Sequence, residues 1–347
     1  MMLFEKIRVL VVDDSPFRRE AIMAILHTDP KIQVVGSAAD GRQALDKTLA
    51  LRPKVITMDI QMPVMNGFEA IEAIMCQAPT SIVVTSGIDV KTVVKALSLG
   101  AMDFVILSAD MDAMAKELIE KVKIASLVKP IRRIGPGRRV GPGMSVDSNG
   151  AFEVVAVGVS TGGPAALAQV FASLPPGLPI GMLVVQHMAR GFIGGLVEHL
   201  RSQTRYDLRV AREGQAFEKG TVLFAPDDRH LRIGHDYRVE LAEDHGLVGS
   251  YVPSIDVMME SVAQVYHARA VGVLMTGMGG DGVQGMKAIW KAGGSTIAQD
   301  EETSVVFGMN RMAIESGCVD RVVPLPLLGD EIARLCSCRV KHSAAVH

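Results

Sequence analysis

A chain of 347 residues with 48% hydrophobic side chains is long enough for two or three domains with cores of their own. Lys and Arg number 36 against 38 Asp and Glu, a net charge of −2, and only 4% of residues are aromatic, so nothing global draws the protein to nucleic acid, to an anionic surface or to stacked bases. The opening Met1 to Arg8 is too short and too charged for a signal-peptide core, and later apolar runs stop far below the ~18 residues of a spanning helix; the expectation is a cytoplasmic protein with no membrane insertion. Cys76, Cys318, Cys336 and Cys338 are too few for a disulfide scaffold. Cys336, Cys338 and His342 are three potential ligands on a terminal tail, which is weak ground for a metal clip.

From the start, β-branched runs alternate with amphipathic stretches: Ile7 to Val12 then Phe17 to His27, Gln33 to Ser37 then Arg42 to Leu51, Val55 to Met58 then Phe68 to Ala78. Ile82 to Thr85, Val90 to Leu99, Phe104 to Leu107 and Met111 to Leu127 continue the pattern, predicting a doubly wound five-stranded parallel sheet over residues 1–125. Over 126–150 the periodicity stops; Pro130, Pro136 and Pro142 alternate with Gly135, Gly137, Gly141 and Gly143 among five basic residues, Lys129, Arg132, Arg133, Arg138 and Arg139, which reads as a solvated linker. The α/β rhythm resumes over 151–347 with Val154 to Val159, Ala165 to Leu174, Ile180 to Val185 and Ile193 to Ser202. Asp207 to Leu241 reads as an antiparallel excursion, after which Ile255 to Tyr266, Ala270 to Thr276, Val283 to Ala292 and Ser295 to Ala298 restore a mainly parallel second domain.

Asp13 and Asp14 follow the first strand and Asp59 the third, so a parallel sheet brings three carboxylates to one edge. Like charges that close repel unless a cation binds or a proton is taken up, and a hard divalent ion such as Mg2+ suits them. With Thr85 and Ser86 after the fourth strand and the Met62-Pro63-Val64-Met65-Asn66-Gly67 turn, this half resembles the receiver domains of two-component response regulators. The resemblance implies that Asp59 accepts a phosphoryl group from a histidine kinase, that Asp13, Asp14, Asp59 and the Gln61 carbonyl hold Mg2+, and that the Thr85 hydroxyl contacts the phosphoryl oxygens. It also implies a lysine ending the fifth strand. Leu107 stands there, which predicts weak switching.

In the second half, Val154 to Val159 runs into Gly158-Val159-Ser160-Thr161-Gly162-Gly163-Pro164 and a helix, placing Ser160 on a sharp turn beside free helix N-H groups. His187 ends the next strand, and Asp281, in Gly277-Met278-Gly279-Gly280-Asp281-Gly282, follows a later one; the three residue types fit nucleophile, base and orienting acid. The chain order serine, histidine, acid is not that of the α/β-hydrolases. The Gly277 to Gly282 turn also spells G-x-G-x-x-G, with Asp300 ending the next strand, so a dinucleotide-binding reading stands as an alternative: a receiver-controlled nucleotide-binding module without hydrolase activity. Against it, Asp281 and Met278 bring a charge and bulk into a loop meant for a pyrophosphate.

With both halves in view, the chain resembles the chemotaxis protein-glutamate methylesterase family, CheB. The carrying segments are those named, with Gln186-His187-Met188, Ala225-Pro226, Pro253-Ser254-Ile255-Asp256, Thr296-Ile297-Ala298-Gln299-Asp300 and Val306-Phe307-Gly308-Met309. The resemblance implies a Ser160, His187, Asp281 triad, an oxyanion hole from the Thr161 and Met278 amides, no cofactor in the catalytic half, and hydrolysis of glutamate methyl esters on methyl-accepting chemoreceptors, with deamidation of receptor glutamines. Asn310 stands where the family often has proline.

Overall fold

The structure, a computed structural model, describes residues 6–87, 90–108, 110–128, 152–243 and 251–337. They form two compact units. In the first, β1 (Ile7–Val12), α1 (Pro16–His27), β2 (Ile32–Ala38), α2 (Gly41–Leu51), β3 (Val55–Met58), α3 (Gly67–Gln77), β4 (Ser81–Ser86), α4 (Val90–Ser98), β5 (Asp103–Ile106) and α5 (Met111–Leu127) alternate. The strands lie in the order β2-β1-β3-β4-β5 and every pairing is parallel. Strands covered by helices on both faces read as near-continuous apolar runs, and Val9 to Val12 and Val55, Ile56 and Met58 are fully buried. The strand order reverses between β1 and β3, and a crevice opens at such a point beyond the carboxyl ends of the strands. α1 starts there on the Ser15 cap with Pro16 in its first turn, and α3 on a reciprocal Asn66 and Glu69 capping box. Gly67 is required at the start of α3, since a Cβ there would lie 2.4 Å from the Asp59 carbonyl oxygen.

The second unit holds β6 (Val154–Val159), α6 (Gly163–Ser173), β7 (Gly181–Gln186), α7 (Ile193–Arg201), β8 (Asp207–Val210), β9 (Thr221–Phe224), β10 (His230–Ile233), β11 (Val239–Ala242), α8 (Ile255–Tyr266), β12 (Ala270–Leu274), α9 (Val283–Lys291), β13 (Ser295–Gln299), α10 (Met309–Glu315), β14 (Arg321–Val323) and α11 (Leu325–Ser337). Seven strands form one sheet in the order β14-β13-β12-β6-β7-β9-β8, again with parallel pairings throughout. The antiparallel excursion is therefore narrower than the sequence suggests. β8 and β9 extend the parallel sheet beyond β7, and among the described strands only β10 and β11 form an antiparallel pair.

α5 runs to Leu127, slightly into the stretch expected as linker, and most of that stretch lies outside the described residues. So do Cys338 and His342; Cys336 is buried in α11. Among the described residues no helix is long and apolar enough to cross a membrane. Asn310 is fully buried, and its amide donates to the Gln299 carbonyl and the Ser304 hydroxyl, a bonding role that proline cannot fill.

Candidate functional site

β12, β6 and β7 are neighbours in the second sheet, and their carboxyl ends carry the Asp281 loop, Ser160 and His187. Ser160 N donates to the Thr276 carbonyl across the β6 and β12 ends at 3.0 Å, and His187 N to the Val159 carbonyl at 3.0 Å. Gly277 backs the serine closely: a Cβ there would lie 2.6 Å from the Ser160 Cβ. The buried Gln186 side chain then ties the two turns together, its Nε2 donating to the Ser160 carbonyl at 2.9 Å and to the His187 carbonyl at 2.8 Å. The Thr276 hydroxyl likewise donates to the Thr161 carbonyl at 2.9 Å.

His187 Nε2 donates to Asp281 Oδ2 at 2.9 Å. Asp281 also sits on the N-terminus of α8: Oδ2 accepts from Ile255 N at 2.7 Å, and Oδ1 from the Ser254 hydroxyl at 2.8 Å and Asp256 N at 3.0 Å. Burial works against its charge, but the His187 hydrogen bond and the Asp256 and Ile255 amides outweigh it and hold the carboxyl below its ordinary value. An ionised carboxylate only accepts, so the imidazole proton resides on Nε2 and Nδ1 is left as the basic nitrogen. Nδ1 is buried and has no hydrogen-bond partner among the described residues. The backbone amides of Thr161 and Met278 also have no acceptor among the described residues.

Sequence reasoning missed two contacts. Tyr251, just ahead of α8, stacks on the His187 ring, and Asp256, in the first turn of α8, lies close behind Asp281. Asp256 Oδ1 accepts from Gly285 N at 2.7 Å; burial, aided by the Asp281 and Glu260 charges, pushes its carboxyl up to about 6. The dinucleotide alternative loses its acidic residues to other work. Asp281 is spent on His187 and α8, and Asp300 accepts from the Thr303 amide at 3.0 Å and from its hydroxyl.

In the first unit Asp13, Asp14 and Asp59 converge, their nearest ligand oxygens all within 4.8 Å of one another; Asp14 and Asp59 line a pocket together with Gln61 and Leu107. Asp13 is fully buried and Asp59 nearly so. Burial and the Asp13 charge raise the Asp59 pKa, against the opposing pull of Arg18 and the Ile60 and Gln61 amides. The buried Thr85 hydroxyl has no hydrogen-bond partner among the described residues; Ser86, the next residue, lines the pocket. Three acidic oxygen donors fit a hard divalent cation such as Mg2+.

These two sheets define a receiver carried in one chain with a serine-hydrolase-like α/β domain. Residues 155–332 match the CheB methylesterase family model, and residues 9–119 match the response regulator receiver domain. The chain belongs to the CheB methylesterase family. It is 40% identical over 344 residues to a protein-glutamate methylesterase/protein-glutamine glutaminase of Pyrococcus abyssi, covering 95% of this chain and 93% of that one. The corresponding protein 2 of Anaeromyxobacter dehalogenans is 42% identical over 332 residues, covering 94% and 95%. The solved structure of the Thermotoga maritima CheB methylesterase catalytic domain, 34% identical, matches with a TM-score of 0.51 over 53% of this chain and 99% of that one.

Proposed function

We propose that the protein hydrolyses methyl esters of glutamate side chains on chemoreceptors, releasing methanol, and deamidates receptor glutamines by the same acyl chemistry. The observation that carries this reading is the Asp281 to His187 hydrogen bond at the strand end next to Ser160, with the Thr161 and Met278 amides left without acceptors among the described residues. Ser160 Oγ attacks the ester carbonyl while His187 Nδ1 takes its proton, and the two amides receive the developing oxyanion. Collapse breaks the acyl C-O bond, and the imidazolium returns the proton to methoxide, giving methanol and an acyl-serine. Water, deprotonated by His187, then cleaves the acyl-serine to free glutamate and Ser160. With a glutamine side chain the leaving group is ammonia. Asp281 stays ionised and holds the imidazole in place.

The receiver governs this site through phosphorylation of Asp59 by a histidine kinase. Asp13, Asp14, Asp59 and the Gln61 carbonyl would hold Mg2+, and the ion would supply the positive charge needed beside the carboxylate and the incoming phosphoryl group. The Thr85 hydroxyl, without a hydrogen-bond partner among the described residues, would contact a phosphoryl oxygen. The domains follow as receiver over 1–125, linker over 126–150 and catalytic domain over 151–347, in a protein of the cytoplasm. Methanol release from methylated receptor membranes, with and without a phosphodonor, tests the reading; a folded protein that releases none overturns it.

A further inference from the structure

The acidic pocket of the first unit already holds a cation of its own. Arg18, in the first turn of α1, sends its guanidinium between the three carboxylates. Nε donates to both oxygens of Asp13, at 3.0 and 2.9 Å; Nη2 donates to Asp14 Oδ1 at 3.0 Å and to Asp59 Oδ2 at 2.7 Å. The contacts reinforce one another: hydrogen bonding to Asp13 and the charges of Asp13, Asp59 and Asp14 raise the Arg18 pKa despite partial burial. Asp59 Oδ1 and one Asp13 oxygen also accept backbone amides, from Ile60 at 2.7 Å and Ser15 at 2.8 Å, so the guanidinium takes up much of the acceptor capacity that remains.

A divalent ion bound by Asp13, Asp14 and Asp59 needs those same oxygens. Two cations drawn to one set of carboxylates exclude each other, and a planar fork with several donors is the side chain best able to compete. We propose that Arg18 is a built-in competitor for the receiver's Mg2+. Metal binding must first expel the guanidinium, so phosphorylation of Asp59 demands a higher Mg2+ level than the three carboxylates alone would set. Arg18 is 41% exposed on its side chain and hangs from the start of a helix, so it can leave without disturbing the core. The inference rests on the assignment of the three carboxylates as the Mg2+ site.

Arg19 supplies the comparison. It carries the same charge on the same turn but bonds the backbone carbonyls of Asp13 and Asp14, at 2.6 and 3.1 Å, and no carboxylate among the described residues. The test is direct binding of Mn2+, as a stand-in for Mg2+, to the full chain, read from the loss of the free-ion EPR signal. Arg18→Met should tighten binding by roughly 10- to 100-fold, the scale of one or two charge-assisted hydrogen bonds. Arg19→Met should tighten it by less than about fivefold, as for a nearby screened charge. Arg18→Lys, which keeps the charge and loses the fork, should fall between native protein and Arg18→Met. An Arg18→Met affinity equal to native, or an equal gain in Arg19→Met, overturns the role of Arg18 and leaves the metal site standing. Absence of saturable binding in every protein overturns the metal site itself and the competition with it.

Discussion

Tyr251 lies flat on His187, with ring centroids 4.4 Å apart and planes within 4° of parallel. The stack covers the imidazole on a face that Asp281 cannot hold, and it favours the imidazolium formed when Ser160 gives up its proton. Tyr251→Ala should lower kcat by roughly 3- to 30-fold, the scale of one aromatic and one cation-π contact, with a smaller change in KM. Tyr251→Phe should keep most of the rate. An alanine variant with native kcat removes Tyr251 from the list of positioning residues.

Ser160→Ala should abolish esterase activity in a folded protein, because it deletes one oxygen on a turn that Gln186, Thr276 and Gly277 already define. The loss should be about 10^4- to 10^6-fold. His187→Ala should cost about as much, and the double variant little more, since the two act as a unit. Methanol release by the three variants, compared with circular dichroism of each, decides the point.

Asp281→Asn should lower turnover strongly with little effect on substrate binding. An amide in that place favours an imidazole proton on the wrong nitrogen. It should also destabilise the catalytic unit by about 1–3 kcal/mol, since an Nδ2 group in place of either oxygen meets a backbone amide donor, Ile255 at one and Asp256 at the other. Kinetics and denaturant midpoints together check both effects. Tight nicotinamide-cofactor binding strengthened by Asp281→Asn would speak for the nucleotide-binding alternative instead.

Asp256 gives a pH signature. Its folded pKa of about 6 exceeds the unfolded value of ~3.9, so the folded state holds the proton more firmly. This costs nothing below the unfolded pKa and grows as pH rises from ~4 through 6, when folding must bury a charge. Asp256 is partly exposed, and screening reduces the cost to about 1–2 kcal/mol at neutral pH. Asp256→Asn keeps an acceptor for the Gly285 amide and should gain stability relative to native at pH 8 but little at pH 4, measured as urea midpoints.

Leu107 lines the acidic pocket of the first unit where the family resemblance implies lysine. Without that donor, a phosphoryl group has less differential binding energy with which to move the receiver, roughly 1–3 kcal/mol less. A phosphodonor should therefore activate the full chain only weakly, and the catalytic half from about Gly150 should outpace the unphosphorylated whole. Leu107→Lys should restore part of the response. Strong activation of the native chain that disappears in Asp59→Ala would show that this receiver signals without its lysine.

The parallel sheets were legible because their strands are apolar runs separated by helical periods, as at Val154 to Val159 before α6. β8 and β9 were not, since the segment between them has no helical period and parallel pairing normally travels with a helix. Ser160, His187 and Asp281 could be placed because each follows a strand of one sheet. Arg18 could not: a charged residue in the first turn of a helix looks like any solvated one until the neighbouring strand ends are in position. Tyr251 was hidden for a related reason, its contact with His187 being made across the fold and leaving no local pattern.

The Gln186 amide has a further consequence. Because one buried side chain fastens the main chain at both Ser160 and His187, a shift of either turn pulls on the other. A signal arriving from elsewhere in the molecule therefore has little purchase on the spacing between attack and proton transfer. What remains open to control is entry: whatever reaches these turns meets a spacing that is already set.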